Sequence, residues 1–260
     1  MSDPLLFDVS GGIATVTLNR PDKLNALTTS ITGAFLDILK TCARDDSIRC
    51  VVLTGSGRGF CAGQDLEEFM SVQGEWSVSD HLRRGYNRII SGLWNLEKPV
   101  IGKINGVAAG AGLGLALATD LRIASDQAAF TAAFIGIGLV PDSGVSWFLP
   151  RLVGQATAFE LLVSGEKVNA DRALQLGLVN RVVPHDALDA AVAELAQHLA
   201  AGPTRGIGLT KRVLHKTASL SLAEALEYEA LVQDIAVNTN DHREGVAAFL
   251  QKRQPQFQGR

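Results

Sequence analysis

The chain has 260 residues, of which 47% are hydrophobic and 20% are charged, and its formal net charge at pH 7 is −3. This composition can bury a substantial core, in one large α/β domain or in two small ones. The sequence has no basic block, which argues against nucleic acid as a partner. Its longest uncharged apolar stretch, at residues 104–119, is shorter than the ~20 residues that a membrane span needs. We therefore expect no nucleic-acid partner and no membrane partner.

The cysteines indicate a reducing compartment. Cys42, Cys50 and Cys61 are odd in number and have no CxxC spacing, which is typical of free thiols in a cytosolic protein. The first residues carry an acid where a secretory signal peptide would carry a base. We therefore expect a cytoplasmic protein.

Strands, glycine-rich turns and helices alternate along the first half of the chain. Residues 5–18 alternate in hydrophobicity around Ser-Gly-Gly at residues 10–12, which predicts a β-hairpin. Further strands are predicted at residues 48–53, 100–104 and 121–124. Helices are predicted where apolar residues recur at Ile31, Phe35, Ile38 and Leu39, and at residues 81–96 and 113–118. This alternation predicts an α/β architecture with a mostly parallel sheet.

Helices dominate the second half, and we expect the strands to stop after Pro150. Asn169 is a candidate N-cap for a helix that ends at Gly177, and a short extended piece follows at residues 178–183. The last predicted helices are an amphipathic one at residues 186–201, one that opens with a capping box at Ser221-Leu-Ala-Glu224, and one at residues 241–252. We expect residues 1–200 to form the core and residues 201–260 a helical region that packs on another subunit.

Two segments can each present a backbone N–H group to one cleft. They are Phe-Cys-Ala-Gly-Gln-Asp-Leu at residues 60–66 and Asn-Gly-Val-Ala-Ala-Gly-Ala-Gly at residues 105–112. Two converging N–H groups form an oxyanion hole, which stabilises an enolate or a tetrahedral intermediate. Alternatively, Asp65 caps a helix at the first segment. The glycines of the second segment could equally serve close packing or a degraded dinucleotide motif, although their spacing departs from G-x-G-x-x-G.

Asp142 is the candidate acid or base. It lies between Pro141 and a Ser-Gly turn, and apolar residues flank it on both sides. Burial would raise its pKa and suit it to general acid–base catalysis. Alternatively, Asp142 caps the helix that begins near Ser143. The serines here lack the G-x-S-x-G elbow of a nucleophilic serine. The five histidines are scattered on helices or loops that look solvated, so we expect no metal site.

Five segments resemble the enoyl-CoA hydratase/isomerase (crotonase) superfamily. They lie at residues 17–26, 59–66, 105–112, 138–144 and 241–249. The likeness covers essentially the whole chain, and the segments occur in the family's order. It implies a crotonase-like spiral of ββα units with a C-terminal helical trimerisation region, assembled as a homotrimer or a dimer of trimers. It also implies an acyl-CoA thioester substrate, with coenzyme A as part of that substrate and no separate cofactor.

The resemblance also implies site residues. The backbone N–H groups of Gln64 and Ala111 would form the oxyanion hole. The residues implied to contact the acyl group or CoA are Lys23, Leu24, Ala26, Ala62, Asp65, Leu66, Gly110, Phe134, Pro141 and Val145.

The chain departs from the family's hydratases at two positions. Gly114 and Phe134 stand where those enzymes have the glutamates that position and activate water, whereas Asp142 coincides with the carboxylate of several isomerase branches. Residues 138–144, 149–151 and 253–257 are similar to the branch that isomerises the ring epoxide of phenylacetyl-CoA in phenylacetate degradation and also shifts double bonds in unsaturated acyl-CoAs.

We therefore expect an isomerase in which Asp142 moves the proton. The alternatives are an enoyl-CoA hydratase with an atypical water site, a non-catalytic acyl-CoA-binding subunit and, least favoured, a nicotinamide oxidoreductase. Phe134, Trp147 and Phe148 could line a pocket for an aromatic ring or could be ordinary core residues.

Overall fold

The structure is a computed structural model that describes residues 3–71 and 77–260. The remaining residues of the predicted core, 1–2 and 72–76, lie outside this description. The strands are β1 (Leu5–Ser10), β2 (Ile13–Leu18), β3 (Cys50–Gly55), β4 (Gly59–Cys61), β5 (Val100–Ile104), β6 (Val107–Ala109), β7 (Leu121–Ser125), β8 (Ala129–Thr131), β9 (Val168–Asn169) and β10 (Arg181–Val183).

The helices of the described chain surround these strands. They are α1 (Thr29–Arg44), α2 (Leu66–Ser71), α3 (Val78–Arg84), α4 (Tyr86–Asn95), α5 (Ala111–Leu117), α6 (Val145–Val153), α7 (Gln155–Ser164), α8 (Ala170–Gln175), α9 (Leu188–Ala201), α10 (Thr204–Thr217), α11 (Leu222–Val237) and α12 (Asn240–Gln251). None of the helices in residues 3–71 and 77–260 is long and apolar enough to cross a membrane.

The strands form two sheets that the chain visits in turn. The larger sheet has the order β1-β2-β3-β5-β7-β10, and the smaller one has the order β4-β6-β8-β9. Most neighbouring pairs are parallel; β1 with β2 and β8 with β9 are antiparallel. Each strand β3, β5 and β7 of the larger sheet leads into a strand of the smaller sheet and then into helix. This repeated strand–strand–helix path is a spiral of ββα units, as predicted.

Local sequence rules account for the first elements. The predicted hairpin is confirmed, and Gly11 and Gly12 form its turn with φ angles of 57° and 79°, which suit glycine. Helix α1 begins after Thr28, whose hydroxyl accepts from the N–H of Ile31. The helix buries Ile31, Phe35 and Leu39, as its periodicity predicts.

The larger sheet is covered on both faces. In β3, Val51 and Leu53 point into the main core, whereas Cys50 and Val52 point to the opposite face. There they pack against the apolar side of α9, which includes Leu188. Both faces of this strand are therefore apolar, as is usual in parallel sheets, and its sequence reads as a continuous hydrophobic run.

Two expectations about strands were wrong. β3 begins at Cys50 rather than at residue 48, because residues 48–49 belong to the turn in which the Ile48 N–H donates to Asp45 O. Strands also continue after Pro150: β9 pairs with β8, and β10 adds to the edge of the larger sheet beside β7. These strands are two and three residues long, too short to show a period in the sequence.

The C-terminal helices begin in close contact with the core. Lys211 of α10 is buried, and its Nζ lies 2.8 Å from the carbonyl O of Leu93 and 2.9 Å from Oδ2 of Asp120. The predicted capping box at Ser221 is present, with both of its hydrogen bonds to Glu224. Further along, α11 and α12 expose large apolar side chains, namely Leu222, Leu226, Leu231, Ile235, Phe249 and Leu250.

Candidate active site

Gln64 follows β4, and its backbone N–H points away from the adjacent segment that contains Leu27. The N–H of Leu27 donates to Gly63 O at 2.7 Å, and the N–H of Asp65 donates to Leu27 O at 2.9 Å. These two bonds form an isolated parallel bridge between Leu27 and Gln64. In such a bridge the N–H of the central residue points to the opposite side. The Gln64 N–H is therefore not used by Leu27.

Gly63 allows the segment at residues 60–66 to lie directly against the segment at residues 105–112. A β-carbon at Gly63 would lie 2.9 Å from the carbonyl O of Ala109 and 3.2 Å from the backbone N of Ala111. Ala111 is the first residue of α5, where the N–H group has no acceptor within the helix. Because Gln64 is bonded to Gly63, the N–H groups of Gln64 and Ala111 lie on directly adjoining segments. This arrangement can form a pair of donors toward one oxygen atom.

Gly114 allows a second close approach, between α5 and the turn that carries Asp142. A β-carbon at Gly114 would overlap the carbonyl oxygen of Ser143 and would lie 2.8 Å from the Ser143 Cβ. Ser143 and Gly144 turn the chain here with φ angles of 50° and 78°. No side chain fits at position 114 without displacement of this turn. The same contact therefore excludes a glutamate side chain at 114 and sets the position of the turn that carries Asp142.

Asp142 does not cap α6. That helix begins at Val145 with Gly144 as its N-cap and has no side-chain capping bond, so the N-cap alternative is wrong. Instead the Asp142 carboxylate accepts from the Ser143 hydroxyl at 2.8 Å. Burial raises the pKa of Asp142 above its ordinary value, although the Ser143 hydroxyl and the nearby His81 act in the opposite direction. A carboxyl group with a raised pKa and a free oxygen can exchange protons with a ligand.

The surroundings of Asp142 are less apolar than the sequence suggests. Phe148 is buried, but Leu139 and Val140 are exposed, because they follow a short 3-10 helix, Phe134–Ile137, at the surface of the chain; Trp147 is exposed on α6. Pro141 is half-buried beside Asp142, and Val145 is completely buried beneath the turn. The partial burial of the carboxyl group comes from the packing of the turn on α5.

At Phe134, where the resemblance implies a glutamate in the hydratases, this chain has an apolar ring. It is 7% exposed and belongs to the main hydrophobic core. Trp147 and Phe148 meet edge to face, with ring centroids 4.9 Å apart, and both contact Trp94. Phe134 and Phe148 therefore serve as core residues, which was one of the two open readings.

The residues implied to bind CoA lie along one edge of the Gln64 segment. The N–H of Ala62 donates to Leu24 O at 2.9 Å, which places these residues side by side. Lys23 and Leu66 are exposed, Gly110 is half-buried, and Ala26 is buried. Lys23 Nζ lies 2.9 Å from a carboxylate oxygen of Glu67, and this hydrogen bond raises the pKa of Lys23. An exposed cation at this edge can meet an anionic group of a ligand.

Asp65 has a structural role. Its Oδ1 accepts from the N–H groups of Glu67 and Glu68, and its Oδ2 accepts from Arg20 at 2.8 Å. Burial would raise its pKa, but these bonds together hold the pKa of Asp65 below its ordinary value. The helix-cap alternative is therefore correct for Asp65. These partners within the chain account for Asp65 without a direct contact to CoA.

Asn25, His81 and Tyr86 were not among the predicted site residues. Asn25 is completely buried, and its Nδ2 donates to the carbonyl O of Ser56 and of Gly59, which ties its own segment to the β3–β4 connection. Tyr86 and His81 both form hydrogen bonds with the side chain of Gln64. The expectation that the histidines are solvated was wrong for His81 and for His215, which are half-buried; the ring of His215 stacks on Trp94. Periodicity cannot reveal such contacts, because the partners are distant in sequence.

Comparison with known proteins gives a consistent result. The model of the family "Enoyl-CoA hydratase/isomerase" matches residues 8–260. The chain is 43% identical to the 1,2-epoxyphenylacetyl-CoA isomerase of Escherichia coli K12, with all of both chains covered. It is 40% identical to a "Probable enoyl-CoA hydratase" of Rhodobacter capsulatus, with 98% of this chain and 97% of that protein covered. A crystal structure of an enoyl-CoA hydratase from Mycobacterium smegmatis superposes with a TM-score of 0.92 at 35% identity, over 98% of this chain and 99% of that one.

Proposed function

Because the chain belongs to the enoyl-CoA hydratase/isomerase family, we propose that it is an acyl-CoA isomerase that acts through a thioester enolate. The contact between Gly114 and Ser143 carries this proposal. It leaves no room for a glutamate at 114 and packs the turn that carries Asp142 against α5. With Phe134 at the other glutamate position, Asp142 is the carboxylate we assign to proton transfer.

In the proposed reaction, the thioester oxygen accepts hydrogen bonds from the backbone N–H groups of Gln64 and Ala111. Loss of a proton next to the thioester forms an enolate, and the two donors stabilise the charge on its oxygen. One such donor contributes about 3 kcal/mol to the transition state. The adjoining positions of Gly63 and Ala111 support this assignment.

Asp142 then acts as both base and acid. Its carboxylate removes a proton from one carbon, the double bond moves, and the same carboxyl group returns the proton two carbons away. Atoms balance without water and without a separate cofactor, since coenzyme A is part of the substrate. Hydration would need a water molecule held by a second polar group, and Phe134 offers none.

For the substrate, we propose 1,2-epoxyphenylacetyl-CoA or an unsaturated acyl-CoA, on the basis of the likeness to the E. coli isomerase. Lys23 would face the CoA phosphates, and Leu24, Ala26, Ala62 and Leu66 would line the channel with Gly110 and Pro141 nearer the thioester. We further propose a cytoplasmic homotrimer or dimer of trimers, in which the exposed apolar residues of α11 and α12 are covered.

The test is to supply a 3-enoyl-CoA and follow the product by mass spectrometry and ultraviolet absorbance. The proposal predicts a conjugated 2-enoyl-CoA of unchanged mass. A parallel assay supplies a 2-enoyl-CoA, whose conjugated double bond can add water; formation there of a product heavier by one water, with no isomerisation of the 3-enoyl-CoA, would instead establish a hydratase. Tight binding of the ester with no turnover of a 3-enoyl-CoA, a 2-enoyl-CoA or the ring epoxide would indicate a binding subunit.

A further inference from the structure

The side-chain amide of Gln64 has one defined orientation. Its Nε2 donates to the carbonyl O of Asp65 at 3.1 Å and to that of Leu27 at 3.4 Å. Backbone carbonyls only accept hydrogen bonds, so the NH₂ group must be at this end. Oε1 therefore faces the opposite way, toward α3 and α4.

Two side chains meet Gln64 Oε1. The Tyr86 hydroxyl lies 2.5 Å from it, and His81 Nε2 lies 3.0 Å from it. An amide oxygen can only accept, so both partners must donate, and His81 must carry a proton on Nε2. Burial raises the pKa of Tyr86, so its hydroxyl keeps the proton that it donates. We call the Gln64 side chain with these two donors the Gln64 clamp.

The junction between α3 and α4 fixes the two donors relative to one another. The N–H of Gly85, which separates the helices, donates to His81 O at 2.9 Å. The rings of His81 and Tyr86 meet edge to face, with centroids 5.5 Å apart and an interplanar angle of 77°. Tyr86 is 2% exposed, so it cannot move without disturbing the core. The clamp is thus anchored to the core through Tyr86.

We propose that His81 and Tyr86 are positioning residues: their hydrogen bonds to Gln64 Oε1 hold the backbone N–H of Gln64 in place. The inference rests on the proposed function, in which this N–H binds the thioester oxygen. A donor that is misaligned stabilises the enolate less, whereas the neutral thioester of the ground state loses little. Loss of the clamp therefore lowers kcat and leaves KM nearly unchanged.

The first experiment compares His81→Leu with His81→Gln on a 3-enoyl-CoA. The glutamine amide can still donate to Gln64 Oε1, whereas leucine cannot. We expect His81→Leu to lower kcat about tenfold or more, with KM within about twofold, and His81→Gln to recover most of the loss. Tyr86→Phe should behave like His81→Leu. Equal defects in the leucine and glutamine variants, or a defect confined to KM, would overturn the proposal.

The second experiment asks whether His81 acts through Gln64. In a Gln64→Leu background, His81→Leu should cause no further loss of kcat, because its acceptor is already gone. A further loss of kcat as large as the loss that His81→Leu causes in the otherwise wild-type protein would show that His81 acts elsewhere and would overturn the proposal. Unfolding midpoints of all variants identify any that merely lose stability.

A third measurement separates the clamp from the proposed function. Nitrogen-15 NMR of the ligand-free protein should show a proton on His81 Nε2, whatever the enzyme's reaction. A proton on Nδ1 alone would overturn the clamp. Absence of isomerisation by the wild-type protein, with the Nε2 proton present, would overturn the proposed function instead.

Discussion

Gly114 lies directly against Ser143, since a β-carbon at position 114 would stand 2.8 Å from the Ser143 Cβ and would overlap its carbonyl oxygen. A glutamate side chain at 114 and the present Asp142 turn cannot both occupy this space without rearrangement. Packing therefore excludes a larger side chain at position 114.

This contact predicts that Gly114→Ala is harmful. Overpacking of this kind costs about 2 kcal/mol, and displacement of the Asp142 turn should also lower kcat. The matched control is Gly33→Ala in α1, where a β-carbon would meet nothing within 4 Å. That change should be neutral or stabilising by about 0.5–1 kcal/mol, because alanine favours the helix. The thermal unfolding midpoint and kcat are measured for both variants. Equal unfolding midpoints for Gly114→Ala and Gly33→Ala would contradict the close contact between Gly114 and Ser143.

Gly63 should be equally sensitive for a different reason. Gly63→Ala would place a methyl group 2.9 Å from Ala109 O and 3.2 Å from Ala111 N, and would push the two donor segments apart. We expect kcat to fall about 100-fold, as on loss of one oxyanion donor. Gly11→Ala is the control, since it also has a positive φ, of 57°, but meets nothing within 4 Å. A normal kcat for Gly63→Ala would argue against this oxyanion hole.

The pH dependence of activity follows from Asp142. The carboxylate must be ionised to remove a proton, so kcat/KM should fall as the pH drops through the raised pKa of Asp142. The Ser143 hydroxyl lowers this pKa, and Ser143→Gly removes the hydroxyl at a position where φ is 50°. The acid limb of the profile should then move to higher pH. A limb that stays in place would mean that another group controls it.

The ion pair between the buried Lys211 and the half-buried Asp120 should contribute to stability. Lys211→Met leaves the half-buried Asp120 carboxylate without this cation; removal of one partner from a fully buried pair costs about 3–5 kcal/mol, and we expect a smaller loss here because water reaches Asp120. Burial already raises the pKa of Asp120, and loss of the lysine raises it further. The folded variant therefore binds more protons than the unfolded chain, so its stability should decrease as the pH rises through that pKa.

The control for this pair is Lys40→Met, which breaks an exposed pair with Asp37. That change should have little effect on stability, because solvent screens an exposed pair. Unfolding midpoints at several pH values compare the two variants. Similar small effects for both would show that α10 is not anchored to the core through Lys211.

Local signals in the sequence predict local structure well. The capping box at Ser221 and Glu224 needs only four consecutive residues, and both of its hydrogen bonds are present. The strand at residues 100–104 has the predicted bounds, because it is a short apolar run between a proline and a glycine turn. The two glycine-rich segments and the Asp142 turn were likewise visible as motifs.

Contacts between distant segments were not predictable in the same way. The sequence marks Gly114 as a departure from the hydratases but does not reveal its contact with Ser143; the packing of α5 on the turn explains the glycine. His81 was taken for a solvated residue because its partner, Gln64, belongs to another loop. β10 lies within the extended piece predicted at residues 178–183, but its place beside β7, like the pairing of β9 with β8, depends on neighbours in the sheets.

The central claim is that Asp142 carries the proton, and the most direct measurement compares Asp142→Asn with wild type on a 3-enoyl-CoA in deuterium oxide. Asp171→Asn, an exposed change in α8, is the control. We predict that only Asp142→Asn abolishes both double-bond migration and deuterium incorporation, with binding of the ester retained. Migration and deuterium uptake by Asp142→Asn at the wild-type rate would contradict the account.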